Sequence, residues 1–174
     1  MKKYLNLFTA VMFAALSVSM ISCSKDDKDD DKDSPSNTQS GKLSIDGSTY
    51  EFNYFFSTGV TTNMLDEGEW SCVMAESYTA KNTLTVMVYG WDLLSNGYTF
   101  TSDNKDDLPY ITVTWAPNNY GTLGALSSGK VVVQDINSKT VTINFDNATF
   151  KGVNTSSSFT VNGTLKMPIK ENYM

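Results

Sequence analysis

Beyond residue 40, apolar and polar residues alternate with a period of two, and helical spacing is nearly absent. Tyr50, Phe52, Tyr54 and Phe56 fall on one face of a first strand, and Trp70, Cys72 and Met74 on one face of the next. Leu84, Val86 and Val88 repeat the pattern, as do Ile111, Val113 and Trp115, and then Val141, Ile143 and Phe145. The last strand is the clearest. Phe159, Val161, Leu165, Met167 and Ile169 face one way, while Thr160, Asn162, Thr164 and Lys166 face the other. Runs of this length, punctuated by Gly, Asn, Asp and Ser, predict an all-β antiparallel fold. A β-sandwich is the leading expectation, with a flattened up-and-down, lipocalin-like barrel as the alternative. Strand order is not readable, because most pairings beyond hairpins are non-local.

Turn register can be tested, because residues paired across a hairpin lie on the same face. A two-residue turn at Asp46-Gly47 pairs Ile45 with Ser48, Leu43 with Tyr50 and Gly41 with Phe52, keeping Leu43 and Tyr50 on one apolar face. The same rule at Asn96-Gly97 pairs Leu93 with Phe100 and predicts a second hairpin. Asn162-Gly163 fails the test, since a turn there sets Phe159 opposite Lys166. One continuous strand is expected instead, with Gly163 marking a bulge or a close backbone approach. A three-residue loop at Asn137-Ser138-Lys139 pairs Val133 with Ile143 and Val131 with Phe145. Ser102 to Leu108 and Asn118 to Gly129 read as long loops.

The N-terminal 40 residues follow a different logic. Lys2 and Lys3 precede an almost uncharged run from Leu5 to Ile21, and Met20-Ile21-Ser22 leads into Cys23. That is the layout of a secretory signal, too short and too acidic downstream for a membrane span. An ordinary thiol in a cleaved signal, or an uncleaved anchor helix, is the plain alternative. Residues 24 to 40 contain six aspartates, three lysines, four serines and a proline, with no apolar side chain. Such a segment cannot offset its ordering entropy and is expected to be a disordered tether. As a flexible coil it spans about 23 Å. The expected organisation is a signal over 1–22, a lipidated cysteine plus tether over 23–40, and one β domain over 41–174.

Charge and chemistry narrow the functions further. The 41–174 span carries 13 acidic residues against 8 lysines, and the whole chain has neither arginine nor histidine. No basic surface for nucleic acid can be assembled from it. Without histidine there is no Ser-His-acid or Cys-His constellation, so a non-enzymatic protein without cofactor is expected. Carboxylate-only hydrolysis survives on paper through Asp66, Glu67, Glu69, Glu76 and Asp92, given two carboxyls about 5 to 9.5 Å apart. Acids of this kind more commonly solvate a strand edge. Asp103, Asp106 and Asp107 offer hard oxygens for calcium, although Lys105 stands in a ligand position and a solvated turn is the simpler reading. Cys72 lies in an apolar strand and reads as a buried thiol. Tyr89 and Trp91 stand out of phase with Leu84, Val86 and Val88, which makes them the candidates for exposed, ligand-stacking aromatics; a second sheet face or core is the competing reading.

The approach to Cys23 resembles a bacterial lipoprotein signal, in which the cysteine is acylated and becomes the first mature residue, although Met20 stands where leucine is commoner. The acidic run Ser24 to Asp33 is similar to the export signal of surface lipoproteins of the Bacteroidota. Together with the Ile45-Asp46-Gly47 hairpin and the closing Asn162-Gly163-Thr164-Leu165 strand, the chain resembles small surface lipoproteins of that phylum with all-β domains of unassigned function. The resemblance implies outer-membrane anchoring through lipid on Cys23 and surface exposure. Two or three acyl chains would hold it there essentially permanently. The expected role is a binding module for a glycan, small molecule or protein; the alternative is a structural or adhesive subunit that contacts partners through a sheet edge.

Overall fold

The computed structural model describes residues 41–62, 68–77, 79–104 and 107–169. The signal, Cys23 and the tether lie outside the described residues, as do Asp66, Glu67 and Asp106. The described strands form one ten-stranded antiparallel sheet: β1 (Gly41–Ile45), β2 (Ser48–Phe52), β3 (Tyr54–Thr62), β4 (Gly68–Ala75), β5 (Thr83–Tyr89), β6 (Thr99–Thr101), β7 (Tyr110–Ala116), β8 (Thr122–Ile136), β9 (Thr140–Gly152) and β10 (Ser158–Pro168). The all-β antiparallel expectation holds. Strand order runs β2-β1-β10-β9-β8-β7-β5-β4-β3, with β6 added on β8. Its two ends, β2 and β3, are separated in the chain by Asn53 alone, so the sheet curls back upon itself into a nearly closed barrel. That is the up-and-down course.

Asn53 is where the chain changes partners. β2 pairs with β1, whereas the Asn53 N–H already donates to the carbonyl of Ala75, the last residue of β4, 3.1 Å away. The switch shifts the side-chain phase by one residue. Tyr50 and Phe52 face inward as expected, but Phe55 and Ser57 are the next inward residues, leaving Tyr54 41% and Phe56 57% exposed. The expectation of four aromatics on one face is corrected there. A bulge between Ser57 and Gly59 then lets the Ser57 hydroxyl accept both the Gly59 N–H (3.2 Å) and the buried Trp70 Nε1–H (3.0 Å).

Hairpin arithmetic succeeds where turn and strands are contiguous. The Asp46-Gly47 turn has the expected pairs Ile45–Ser48, Leu43–Tyr50 and Gly41–Phe52. Val133 faces Ile143 and Val131 faces Phe145, although a bulge after Val133 shifts the last pair to Ile136–Val141. β10 runs unbroken past Asn162-Gly163, with a bulge between Val161 and Gly163. A Cβ on Gly163 (φ 122°) would lie 2.9 Å from the Lys42 carbonyl oxygen, so the close approach is real.

Two local expectations fail. Asn96-Gly97 does form a turn, with the Tyr98 N–H donating to Ser95, but Leu93 belongs to a 3-10 turn (Trp91–Leu93) and Phe100 pairs with Val131 of β8. The Gly97 N–H donates to Val133, so β8 has captured the strand that the local hairpin would have used. The 118–129 segment is not a long loop: residues 122–129 open the 15-residue strand β8. Small residues suit it, because Gly124 lies against Phe150 and Gly129, at φ 74°, against the backbone of Asn147. Inside the barrel, Phe52, Trp70, Phe145 and Phe150 are essentially fully buried together with the inward aliphatic residues of every long strand.

Candidate functional site

Inward residues of β4, β5 and β7 fill the barrel, so the intervening residues point outward. Register aligns these outward residues across strands. Glu69 pairs with Tyr89 and Tyr89 with Tyr110; one row further along, Ser71 pairs with Met87, Met87 with Thr112 and Thr112 with Ala125. Neighbouring strands lie about 4.8 Å apart, which brings these side chains into one patch.

Within the patch, the Tyr89 and Tyr110 rings stack with centroids 4.5 Å apart and planes 19° from parallel. Tyr89 is only 4% exposed. Burial, then the Glu69 charge and Tyr110, push its phenol far above the ordinary range. Burial also raises the Glu69 carboxyl above the usual carboxylate value. The hydroxyls of Thr58 and Ser71 lie 3.1 Å apart and satisfy one another. Thr112 is different. It is 3% exposed, and its Oγ1 is a buried side-chain oxygen without a hydrogen-bond partner. A buried hydroxyl left unpaired costs about 1–3 kcal/mol, so a sequence keeps one for a reason.

The charge distribution singles out the same surface. β3, β4, β5 and β7 contain no lysine and, among their residues, one carboxylate, Glu69. Ion pairs lie on other strands, Lys42–Glu51 across β1–β2 at 3.3 Å and Lys130–Asp146 across β8–β9 at 3.2 Å.

The sequence-derived candidates divide around this patch. Tyr89 belongs to it and has the outward phase expected, but it is not the exposed aromatic of one reading, because Tyr110 covers its ring. Trp91 is not part of it. Gly90, in the left-handed region (φ 72°), turns the chain inward, and the Trp91 ring lies 5.0 Å from Trp70 and is 8% exposed. An exposed Trp91 platform is therefore corrected to an end plug of the barrel. Asp103 and Asp107 are exposed, and among the described residues no group of three or more His, Cys, Asp or Glu is placed to hold a metal. Of the acids, Glu69 sits near the start of β4 and Glu76 just past its end, about 23 Å apart along an extended strand, too far for a glycosidase pair. Glu76 accepts from Asn82 Nδ2 at 3.2 Å, and exposed Asp92 lies against Gly68. Cys72 is fully buried, and burial pushes its thiol up to about 12.

Sequence reasoning missed Tyr110, Ser71 and Thr112. Their outward phase was readable from Ile111 and Val113, and from Trp70 and Cys72, but the β5–β7 pairing that unites them skips β6. No protein-family model, curated protein or solved structure matches this chain.

Proposed function

We propose that this protein is a non-enzymatic binding module, held at the outer membrane of a bacterium of the Bacteroidota type by lipid on Cys23 and displayed at the cell surface. Its binding surface is the outer face of β4, β5 and β7, and its ligand is a glycan, small molecule or protein. The barrel interior is occupied by the protein's own aromatic side chains, which directs binding to the exterior. The observation that carries the reading is the unpartnered Thr112 hydroxyl beside the stacked Tyr89–Tyr110 pair on a lysine-free face. Sites of this kind combine apolar and aromatic surface with a few polar groups that orient the ligand. The absence of histidine from the sequence favours capture over catalysis.

Two experiments test it. Mass spectrometry of the native protein is expected to find acyl chains on Cys23 that a Cys23→Ala variant lacks; an unacylated wild type removes the anchor. Arrays of glycans, small molecules and surface proteins probed with the detergent-solubilised full chain are expected to return a ligand whose binding Tyr110→Ala weakens. Silence across all three arrays removes the binding module.

A second reading, adhesion through a sheet edge, draws on β3. That strand ends the strand order and carries the exposed Tyr54 and Phe56. Under it, Phe56→Ser abolishes self-association in sedimentation velocity while leaving ligand binding untouched.

A further inference from the structure

We infer that the ligand of the β4–β5–β7 face is a neutral sugar, seated with a C–H face against the Tyr110 ring, which the buried Tyr89 backs, and a hydroxyl on Thr112. The inference rests on the binding reading above and names its ligand class. Six residues define the seat: Glu69, Ser71, Met87, Tyr89, Tyr110 and Thr112.

The chemistry of the face rejects the other classes. An anion meets no lysine on these four strands, no arginine anywhere in the chain, and the like charge of Glu69. A purely apolar ligand would leave the Thr112 hydroxyl unpaired and strip water from Glu69, compounding both costs. A cation gains from Glu69 and the aromatic rings, but an ammonium can only donate to Thr112 Oγ1 and leaves that hydroxyl's own proton without an acceptor. A neutral sugar meets every demand at once. Its C–H faces suit tyrosine rings, and its hydroxyls donate to the Glu69 carboxylate and both donate to and accept from Thr112 Oγ1. Buried polar groups of this kind are also the strongest discriminators, because an analogue lacking the matching hydroxyl leaves them unpaired.

Access to Thr112 depends on its neighbours. Met87 stands directly across the β5–β7 ladder from it. An unbranched thioether with three rotatable bonds can turn aside more readily than a β-branched side chain. Met87 is accordingly assigned as the movable member of the seat, uncovering the hydroxyl as the sugar arrives.

The test is calorimetry of the full chain in detergent with maltose, cellobiose, N-acetylchitobiose and mannobiose, alongside choline and inorganic phosphate. At least one neutral disaccharide is expected to bind, with affinity about tenfold weaker in Thr112→Val and in Met87→Ile. Glu69→Gln is expected to reduce sugar binding only partly, since an amide oxygen still accepts a hydrogen bond. Circular dichroism and tryptophan fluorescence confirm that each variant is folded. Neutral-sugar binding unmoved by Thr112→Val and Tyr110→Ala overturns this seat while leaving the binding module standing. Binding of choline abolished by Glu69→Gln, or of phosphate, overturns the neutral-sugar assignment alone. No binding by any of the four disaccharides overturns the sugar assignment, whereas the binding module falls only if the wider arrays are silent too.

Discussion

Replacing Thr112 by valine removes one hydroxyl and leaves the side-chain shape almost unchanged. In a typical core the change is unfavourable, because the hydroxyl had a partner. Here it has none, and the residue is 3% exposed. Relief of the unsatisfied group is worth about 1–3 kcal/mol. Thr112→Val is therefore expected to stabilise the domain by about 1–3 kcal/mol, a large share of a total of about 5–15 kcal/mol. For a domain of this size that corresponds to a rise in Tm of about 4–12 °C. Urea denaturation followed by the fluorescence of the buried Trp70, Trp91 and Trp115 reports it directly. The midpoint should move up with an unchanged m-value, the mark of a stability change without a change in exposed surface. Thr114→Val, two residues along the same outward face and only half-buried, is the control and should stay within about 0.5 kcal/mol. A Thr112→Val protein that is neutral or less stable refutes the reasoning, because the hydroxyl must then be hydrogen-bonded in solution. A gain in stability coupled to a loss of binding is the pattern expected where a fold keeps an unfavourable group for its function.

The remaining predictions concern the backbone, the thiol and the carboxylate. Gly129→Ala combines a positive φ, costing about 1–2 kcal/mol, with overlap on the Asn147 carbonyl, costing about 1–3 kcal/mol more. Gly97→Ala, whose Cβ meets nothing within 4 Å, bears the first cost alone; equal urea midpoints for the two would disprove the steric account. Cys72, with its thiol pushed up to about 12 by burial, should resist iodoacetamide in the native protein and react once urea unfolds it; rapid native labelling contradicts the burial. Burial raises the Glu69 carboxyl above its reference value of 4.5, so the folded state holds the proton more tightly than the unfolded chain. Its favourable contribution is complete below that reference value and is lost as pH rises through the raised folded value. Glu69→Gln should thus raise Tm more at about pH 7 than at about pH 4; an equal effect at both removes the desolvation argument.

Side-chain phase within a strand and turns between adjacent strands were legible in the residues themselves. Leu84, Val86, Val88, Ile111, Val113, Val141, Ile143, Leu165 and Met167 all point into the barrel, and the 46–47 turn has the expected register. Gly163 was identified as a close approach because a turn there would have mixed faces. Phase inference failed where the chain changed partner. At Asn53 the strand leaves β1 for β4 and slips by one residue; after Gly97, β8 takes β6 away from the local hairpin.

The candidate site was half legible for the same reason. Outward phase marked Tyr89, but nothing local shows that Tyr110 lies beside it or that Thr112 lacks a partner, since those follow from a β5–β7 pairing across about 20 intervening residues. Trp91 falls on the core side of its two readings because Gly90 redirects the chain inward at the barrel end. Alternation and turn chemistry are properties of a few consecutive residues, and they alone determined that this is an antiparallel β protein and which side chains of its uninterrupted strands form the core. Which strands become neighbours depends on burying that core completely with the fewest open edges. That choice belongs to the tertiary structure, and it placed an acid, two stacked rings and one unsatisfied hydroxyl on a single outer face.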